Sequence, residues 1–376
     1  MNLADVPTLL STLALVLGHG ASAPAVPNSM SCAPCQNSFR CFLAHFASSS
    51  RLCSRAGGAN WRMPEAGTPI ANAAPARLAA DLPFLVAISL ITAIWGFNFV
   101  VIKVGTTGVP PLLLAALRFI FVALPAVFFV KRPPTTWRLI ASYGLFLGVG
   151  EFGLLFCAMK LGAPAGLSSL ILQAQAFFTA LLARPVLGER LGRLSAVGML
   201  IAGSGLAVLG YQGNQPGAWG GHFRLALTML IAAALMWAVA NVLARRIGNV
   251  GSLSLLVWSS LVSPLPLLAL SLSLEGPRAM VAALESLSAT SIGALTYLVL
   301  LSTLVGYGAW NHLIVKHGAS RVAPFSMLVP IFGLSSGAIF LGERFSSWHV
   351  LAAALVLLGL ALHALGPKLL QPRRPE

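Results

Sequence analysis

The chain has 376 residues, of which 57% are apolar and only 9% are charged, and its mean hydropathy is +0.85. Soluble domains carry about 25% charged residues, so this composition excludes a soluble enzyme, a DNA-binding module and a wholly disordered chain. The net charge of +15 comes from basic residues scattered between apolar stretches, which is typical of membrane-protein loops. We therefore expect a lipid bilayer around the protein and no nucleic-acid partner.

Residues 1–80 are predicted to be a disordered, dispensable leader, because they are rich in Ala, Pro, Ser and Gly and offer no core. The apolar run Pro7–Leu17 is too short to span a bilayer. It also lacks the preceding Lys or Arg that a signal peptide has. Met63 is an alternative start just ahead of the first apolar stretch. Four cysteines in this leader have no second pair or histidine pair to complete a tetrahedral site, so we expect no metal: Cys32, Cys35, Cys41 and Cys53.

From Leu82 onward, apolar stretches close to bilayer length alternate with short polar breaks. Prolines inside some of them favour kinks over chain breaks. The pattern predicts an all-α membrane protein with ten transmembrane helices. They lie at about 84–103, 112–130, 139–159, 165–183, 194–211, 225–244, 253–274, 290–311, 322–341 and 348–366.

The charges in the connecting segments predict the orientation of these helices. With both termini in the cytoplasm, thirteen Lys and Arg residues after Leu82 fall inside and five fall outside, as the positive-inside rule requires. The inside group is Lys131, Arg132, Arg138, Arg184, Arg190, Arg193, Arg245, Arg246, Lys316, Arg321, Lys368, Arg373 and Arg374, and the outside group is Lys103, Lys160, Arg224, Arg278 and Arg344.

The two halves of the helical region share three landmarks in the same order. Each predicted half holds five helices, and an odd number requires the second half to be inverted relative to the first. Inverted repeats are typical of alternating-access transporters with a central site; an old duplication without a transport role is the alternative. The landmarks pair Asn98-x4-Lys103-x-Gly105 with Asn241-x4-Arg246-x-Gly248, Lys160–Ala163 with Lys316–Ala319, and Leu187–Arg190 with Leu341–Arg344.

These repeats define the predicted domain organisation. The first repeat covers residues 81–211, a linker covers 212–224, the second repeat covers 225–367, and a cytoplasmic tail covers 368–376.

Several motifs resemble the EamA family of the drug/metabolite transporter superfamily between Leu82 and Leu365. They are Trp95–Lys103, Leu117–Phe119, the repeated Leu-Gly-Glu-Arg and Pro324–Pro330. The resemblance implies a ten-helix carrier of the inner (plasma) membrane that exports small metabolites without a cofactor. The Gln173–Gln175 helix and Pro324–Pro330 are most similar to the branch that exports cysteine and O-acetylserine.

Glu151 is the one acidic residue inside a predicted span, and it is flanked by Gly150 and Gly153. A carboxylate in hydrocarbon usually faces a cavity, pairs with a cation or relays protons. Proton coupling through Glu151 is therefore one expectation, and a structural pair with Arg118 is the other. Tyr307 takes the Glu151 position in the second half, so only one half supplies the carboxylate.

Other polar and aromatic residues inside the predicted spans are candidates for substrate contact. For each the sequence leaves a structural alternative. The amides could form hydrogen bonds between helices, the tryptophan could pack against its neighbours, and the histidine could be buried with its hydrogen bonds satisfied. The resemblance places the two glutamines against the central cavity. The candidates are Asn98, Asn241, Trp95, Gln173, Gln175 and His312.

The two Leu-Gly-Glu-Arg turns are predicted to be structural. A local ion pair between neighbouring residues, Glu189–Arg190 in one turn and Glu343–Arg344 in the other, would close each helical hairpin.

The sequence thus predicts a secondary exporter of small polar metabolites, such as amino acids or their derivatives, that works by alternating access. It contains no Gly-x4-Gly-Lys-[Ser/Thr] motif for direct ATP coupling. A membrane-embedded lipid-modifying enzyme and a passive channel are the alternatives, and a homodimer stays open. An enzyme would need clustered His, Asp or Cys near one interface, whereas the acidic residues here are few and dispersed.

Overall fold

The computed structural model describes residues 74–189, 192–212, 221–248 and 250–369. Most of the predicted leader, including Met63 and the four cysteines, lies outside the described residues, as do most of the linker and the end of the tail. The first helix begins at Ala74, ahead of the predicted boundary at residue 80. From Ala87 onward the chain packs as one compact unit, and the part of this helix before Ala87 falls in a separate one.

The described residues form helices and contain no strand. We number eleven helical elements in chain order, and five of them change their helical type, break or bend along their length. They are α1 Ala74–Gly108, α2 Pro111–Ala126, α3 Trp137–Lys160, α4 Ala165–Leu187, α5 Arg193–Gln212, α6 Phe223–Ile247, α7 Ser252–Ser259 with Pro264–Leu274, α8 Pro277–Glu285, α9 Ala289–His317, α10 Ala323–Leu341 and α11 Ser347–Leu369.

Within the described chain, eight of these helices are long and apolar enough to cross a membrane. The two parts of α7 meet at 46° and together would make a ninth span. The remaining predicted span is α2, whose 16 residues cover only about 24 Å. All ten predicted stretches are helical, but the structure supports eight or nine crossings, and the tenth stays a prediction. The short helix α8 was not predicted, because its nine residues lie in a polar connection.

Helices α3 and α9 each contain a π-helical segment of nine residues, Leu145–Gly153 and Tyr297–Val305. Such segments are rare and are frequently found at functional sites. Helix α2 packs against both of them and against α7. Its buried face includes Leu112, Leu113 and Phe119, so the shortest span candidate lies in the interior, in contact with both π segments.

Tight packing between small residues joins the helices that close the two predicted halves. A Cβ atom on Gly198 of α5 would collide with the Gly359 carbonyl oxygen of α11. On Gly205 it would lie 2.8 Å from the Ala352 carbonyl oxygen. Helices can approach this closely only where side chains are absent or small.

Candidate functional site

The two charged residues buried in the membrane-spanning region lie where α2 meets the π segments. Arg118 of α2 is 2% exposed and Glu151 of the α3 π segment is 3% exposed. Charged side chains are rare at such depth and usually mark a substrate or ion pathway. The structure therefore brings together the two residues that the sequence paired.

Arg118 is held by a residue of the second π segment. Its Nε and Nη2 atoms donate to the Thr303 hydroxyl at 3.2 and 2.9 Å, and that hydroxyl donates to the Leu298 carbonyl oxygen at 2.7 Å. The guanidinium carbon also lies 4.1 Å from the centroid of the Phe152 ring, a cation–π contact. These contacts fix one side of the guanidinium, while Nη1 has no hydrogen-bond partner among the described residues.

Glu151 and Arg118 interact electrostatically, but they form no ion pair within the 4 Å that defines a salt bridge. The Oε2 atom of Glu151 has no hydrogen-bond partner in the described chain. The expected structural pair is therefore not a direct contact, and the guanidinium bonds to Thr303 instead. A buried acceptor and a buried donor are each left with unused hydrogen-bonding capacity, which is costly unless something else binds there.

An aromatic cluster lies between α1 and α9 beside this site. The Trp95 ring is 5.2 Å from the Tyr307 ring and 5.0 Å from the Trp310 ring, and its Nε1 atom donates to the Ser302 carbonyl oxygen at 3.0 Å. Gly306 makes this approach feasible, since a Cβ there would lie 2.6 Å from the Trp95 indole nitrogen. Trp95 and Tyr307 thus contact each other across the two predicted halves.

The predicted amides divide into bonded and unbonded groups. Asn241 of α6 donates to the Gln175 side-chain oxygen of α4 at 2.7 Å, so these two join helices. Gln173 is buried at the break in α4. Asn98 is also buried, and its Oδ1 atom has no hydrogen-bond partner within the described part of the chain. His312 is exposed and lies away from the buried set.

The carboxylates of the two Leu-Gly-Glu-Arg turns have different partners. The predicted Glu343–Arg344 pair is not formed, and the predicted Glu189–Arg190 pair lies partly outside the described residues. Glu343 accepts the backbone N–H groups of Ala165 and Gly166 at the start of α4. Glu189 forms an ion pair at 3.0 Å with Arg245 of α6, and both side chains are about half exposed. Backbone N–H groups left free at a helix start attract a carboxylate more strongly than an adjacent, exposed arginine does. Arg344 is exposed, and Arg190 lies outside the described residues.

A cavity of about 400 Å³ lies at the α1–α2 and α3–α4 connections, and Lys160 and Glu275 are among the residues that line it. The Glu275 carboxylate accepts from the N–H groups of Leu112 and Leu113 at the start of α2 and from the Ser271 hydroxyl. Burial raises its pKa, against the opposing effect of these hydrogen bonds. Because both the backbone donors and the carboxylate are already paired, this cavity is lined by satisfied groups.

Thr303 is the site residue that sequence reasoning missed. It is one hydroxyl in a long apolar stretch, and no spacing or charge distinguishes it. The π segment that turns it toward Arg118 leaves no mark on composition. By contrast, Glu151 was a candidate because it is an acidic residue inside an apolar stretch.

Opposite charges buried between the helices of a multi-pass membrane protein usually mark a substrate or ion pathway. The chain belongs to the EamA-like transporter family, whose model matches residues 83–211 and 224–365. It is therefore a transporter by family and not an enzyme. The match begins and ends close to the boundaries of the two predicted repeats.

Similar proteins agree with this assignment. A probable amino-acid metabolite efflux pump of Salmonella typhimurium is 44% identical over 282 residues, which cover 74% of this chain and 93% of the relative. Its Escherichia coli K12 counterpart of the same description is 42% identical over the same shares. A solved crystal structure with 22% identity covers 76% of this chain and 98% of its own, with a TM-score of 0.53, which indicates a shared fold.

Proposed function

We propose that this protein exports amino-acid metabolites across the inner membrane as a secondary transporter. The observation that carries the proposal is the pair of buried opposite charges, Glu151 and Arg118, in a transporter-family chain that is 42–44% identical to probable amino-acid metabolite efflux pumps. Such metabolites carry an ammonium and a carboxylate group. A carrier for them needs buried partners of both signs, because an unpaired charge is costly away from water.

We further propose ten spans arranged as two inverted repeats, 81–211 and 225–367, joined by the linker 212–224. Repeated landmarks support this arrangement, since they share backbone conformation as well as sequence. Gly162 and Gly318 both have positive φ, and Gly188 and Gly342 both end their helices in the left-handed conformation. The two π segments also occur in the helices that the repeat relates, α3 and α9.

In this arrangement the remaining candidates contribute in different ways. Asn98 offers an unused buried acceptor to the substrate, and Trp95 and Tyr307 form an aromatic wall between the halves. Gln175 and Asn241 keep α4 against α6, and Gln173 marks the bend in α4. His312 is exposed, so it is not one of the buried residues of this site.

Export is proposed to be coupled to protons through Glu151. The groups that act electrostatically on it or beside it are Arg118, Tyr143 and Tyr307. A carboxyl group surrounded by apolar residues and one cation can gain and lose a proton during a transport cycle.

The test measures saturable counterflow of radiolabelled cysteine and O-acetylserine in proteoliposomes, with threonine and a drug panel beside them. We expect wild type to exchange at least one amino-acid metabolite, and Glu151→Gln to lose the pH dependence of net export. Glu285→Gln, an exposed carboxylate on α8, is the matched control. Non-saturable flux would indicate a channel, and a Glu151→Gln variant with unchanged pH dependence would exclude proton coupling at this residue.

A further inference from the structure

We infer that the two π segments build a binding site for the paired charges of a zwitterion, with Thr303 as the residue that positions Arg118. This rests on the proposed export function and specifies how the substrate is recognised. Arg118 Nη1 receives the substrate carboxylate, and Glu151 Oε2 receives its ammonium group.

Two buried atoms without hydrogen-bond partners indicate which charged groups the ligand carries. Arg118 and Glu151 lie close enough for their charges to interact, yet neither Nη1 nor Oε2 has a hydrogen-bond partner in the described chain. A site for a neutral or singly charged ligand would leave one of the two buried charges without a partner. A zwitterion supplies an acceptor to the arginine and a donor to the glutamate at once.

Thr303 explains why Nη1 is the free atom. The Thr303 hydroxyl accepts hydrogen bonds from both Nε and Nη2 of Arg118. It donates its own proton to the Leu298 carbonyl oxygen in the same π segment, so the orientation of the hydroxyl is fixed. Phe152 covers the guanidinium face at 4.1 Å. The guanidinium is therefore held on two sides, and Nη1 keeps both of its N–H groups free to donate. Without Thr303 the guanidinium would rotate toward the uncompensated Glu151 and close the site.

The experiment compares cysteine with two analogues that each lack one charge, N-acetylcysteine and cysteinamide, as competitors of radiolabelled cysteine counterflow. Hydrogen bonds to charged groups change affinity by about ten- to a hundredfold. In wild type we expect both analogues to compete at least about tenfold more weakly than cysteine. Arg118→Gln should abolish the preference for cysteine over cysteinamide, and Glu151→Gln the preference over N-acetylcysteine. Arg278→Gln and Glu285→Gln on α8 are the charge-matched controls.

Thr303→Val and Thr303→Ser separate positioning from folding. We expect Thr303→Val to lose discrimination against cysteinamide alone, and Thr303→Ser to retain it. Equal weakening of all three ligands would assign Thr303 a merely structural role. Where a variant shows no counterflow, ligand-induced thermal stabilisation of the purified protein gives the same ratios.

The outcomes distinguish this inference from the proposed function. If wild type exchanges no amino-acid metabolite, the export function is wrong. If wild type exchanges cysteine but both analogues compete as well as cysteine does, export stands and the zwitterion site is wrong.

A second inference comes from the unequal contacts of the two repeated carboxylates. We infer that Glu343, and not Glu189, acts as a latch that holds its side of the membrane closed. Glu343 bonds to Ala165 and Gly166, which follow the Lys-x-Gly-Ala landmark of the first half. Glu189 instead pairs with Arg245 at a half-exposed position.

The Glu343 carboxylate is tightly packed against two glycines. A Cβ on Gly166 would lie 3.1 Å from its carboxylate, and a Cβ on Gly337 would collide with it. Lys103 strengthens the same junction, since its ammonium donates to the Met159 and Ala163 carbonyl oxygens at 2.8 and 3.0 Å. Opening this side therefore requires the carboxylate to leave two backbone donors together.

A cysteine at Ala165, which is fully buried beneath this contact, reports on opening when the native cysteines are replaced. We expect Glu343→Gln to raise the rate of alkylation by a water-soluble maleimide at least about fivefold, and Glu189→Gln to leave it unchanged or lower it. An unchanged rate in Glu343→Gln, or an equal rise in both variants, would overturn the latch. This readout needs no substrate, so it is independent of whether the export assay succeeds.

Discussion

At the end of α7 the Glu275 carboxylate accepts the first free N–H groups of α2, Leu112 and Leu113, together with the Ser271 hydroxyl. Bonds to a charged acceptor contribute about 1.5–3 kcal/mol each to stability when they are buried. The cost of burying the carboxylate offsets most of this gain, so we expect Glu275→Ala to destabilise the protein by about 2 kcal/mol, measured by thermal unfolding in detergent. The same substitution at the exposed Glu285 should change little.

Because the pKa of Glu275 is shifted, the stability of the folded protein depends on pH. Burial raises the pKa above the ordinary value of 4.5, so the folded protein binds this proton more tightly than the unfolded chain. The stability that this bound proton adds to the folded protein is greatest below about pH 4.5 and is lost as pH rises through the raised pKa, because the charged carboxylate is costly to bury. The Tm of wild type relative to Glu275→Gln should therefore fall over this range; a rise would contradict the sign. Lys160 lines the same cavity, and its ammonium donates to the Thr106 carbonyl oxygen at 2.7 Å.

The residue scale also shows what the sequence could provide. Glu151 and Arg118 were found because charges are conspicuous in apolar stretches, and the structure places both in the interior. Thr303 and the partners of Glu343 were not found. Their contacts join residues more than 170 positions apart, and only the packed helices bring them together.

At the scale of the elements, the contact between α5 and α11 allows a test of how much close packing at glycines contributes to stability. Gly198 and Gly359 meet backbone to backbone, and the Ser195 hydroxyl and the His363 ring nitrogen share a hydrogen bond in the same interface. We expect Gly198→Leu and Gly359→Leu to destabilise the protein by about 1–3 kcal/mol, because overpacking forces the helices apart. Gly203→Leu on the same helix α5 is the control, since its Cβ would meet nothing within 4 Å. Equal losses in all three would mean that the close contact between α5 and α11 is not responsible, because Leu is a better helix former than Gly and propensity alone would not lower stability.

Apolar length predicted the positions of the helices well, since all ten stretches are helical. It could not predict their internal structure. A π segment shifts backbone hydrogen bonds by one residue without altering composition, and the bend in α7 occurs at a run of serines and prolines that also suits a continuous helix. These local departures are the features that form the site, where α2 contacts both π segments.

For the whole molecule the decisive prediction is orientation. Thirteen basic residues on one side and five on the other favour cytoplasmic termini, and inverted repeats require an odd number of spans in each half. We expect a C-terminal green fluorescent protein to fluoresce and a C-terminal alkaline phosphatase to be inactive in cells. When the same reporters are inserted in the connection that contains α8, the phosphatase should be active and the green fluorescent protein should not fluoresce. Because α2 is only 16 residues long, a third reporter within 131–136 decides whether it crosses. Fluorescence there requires α2 to span, whereas phosphatase activity there would reduce the first half to four spans and remove the inverted symmetry.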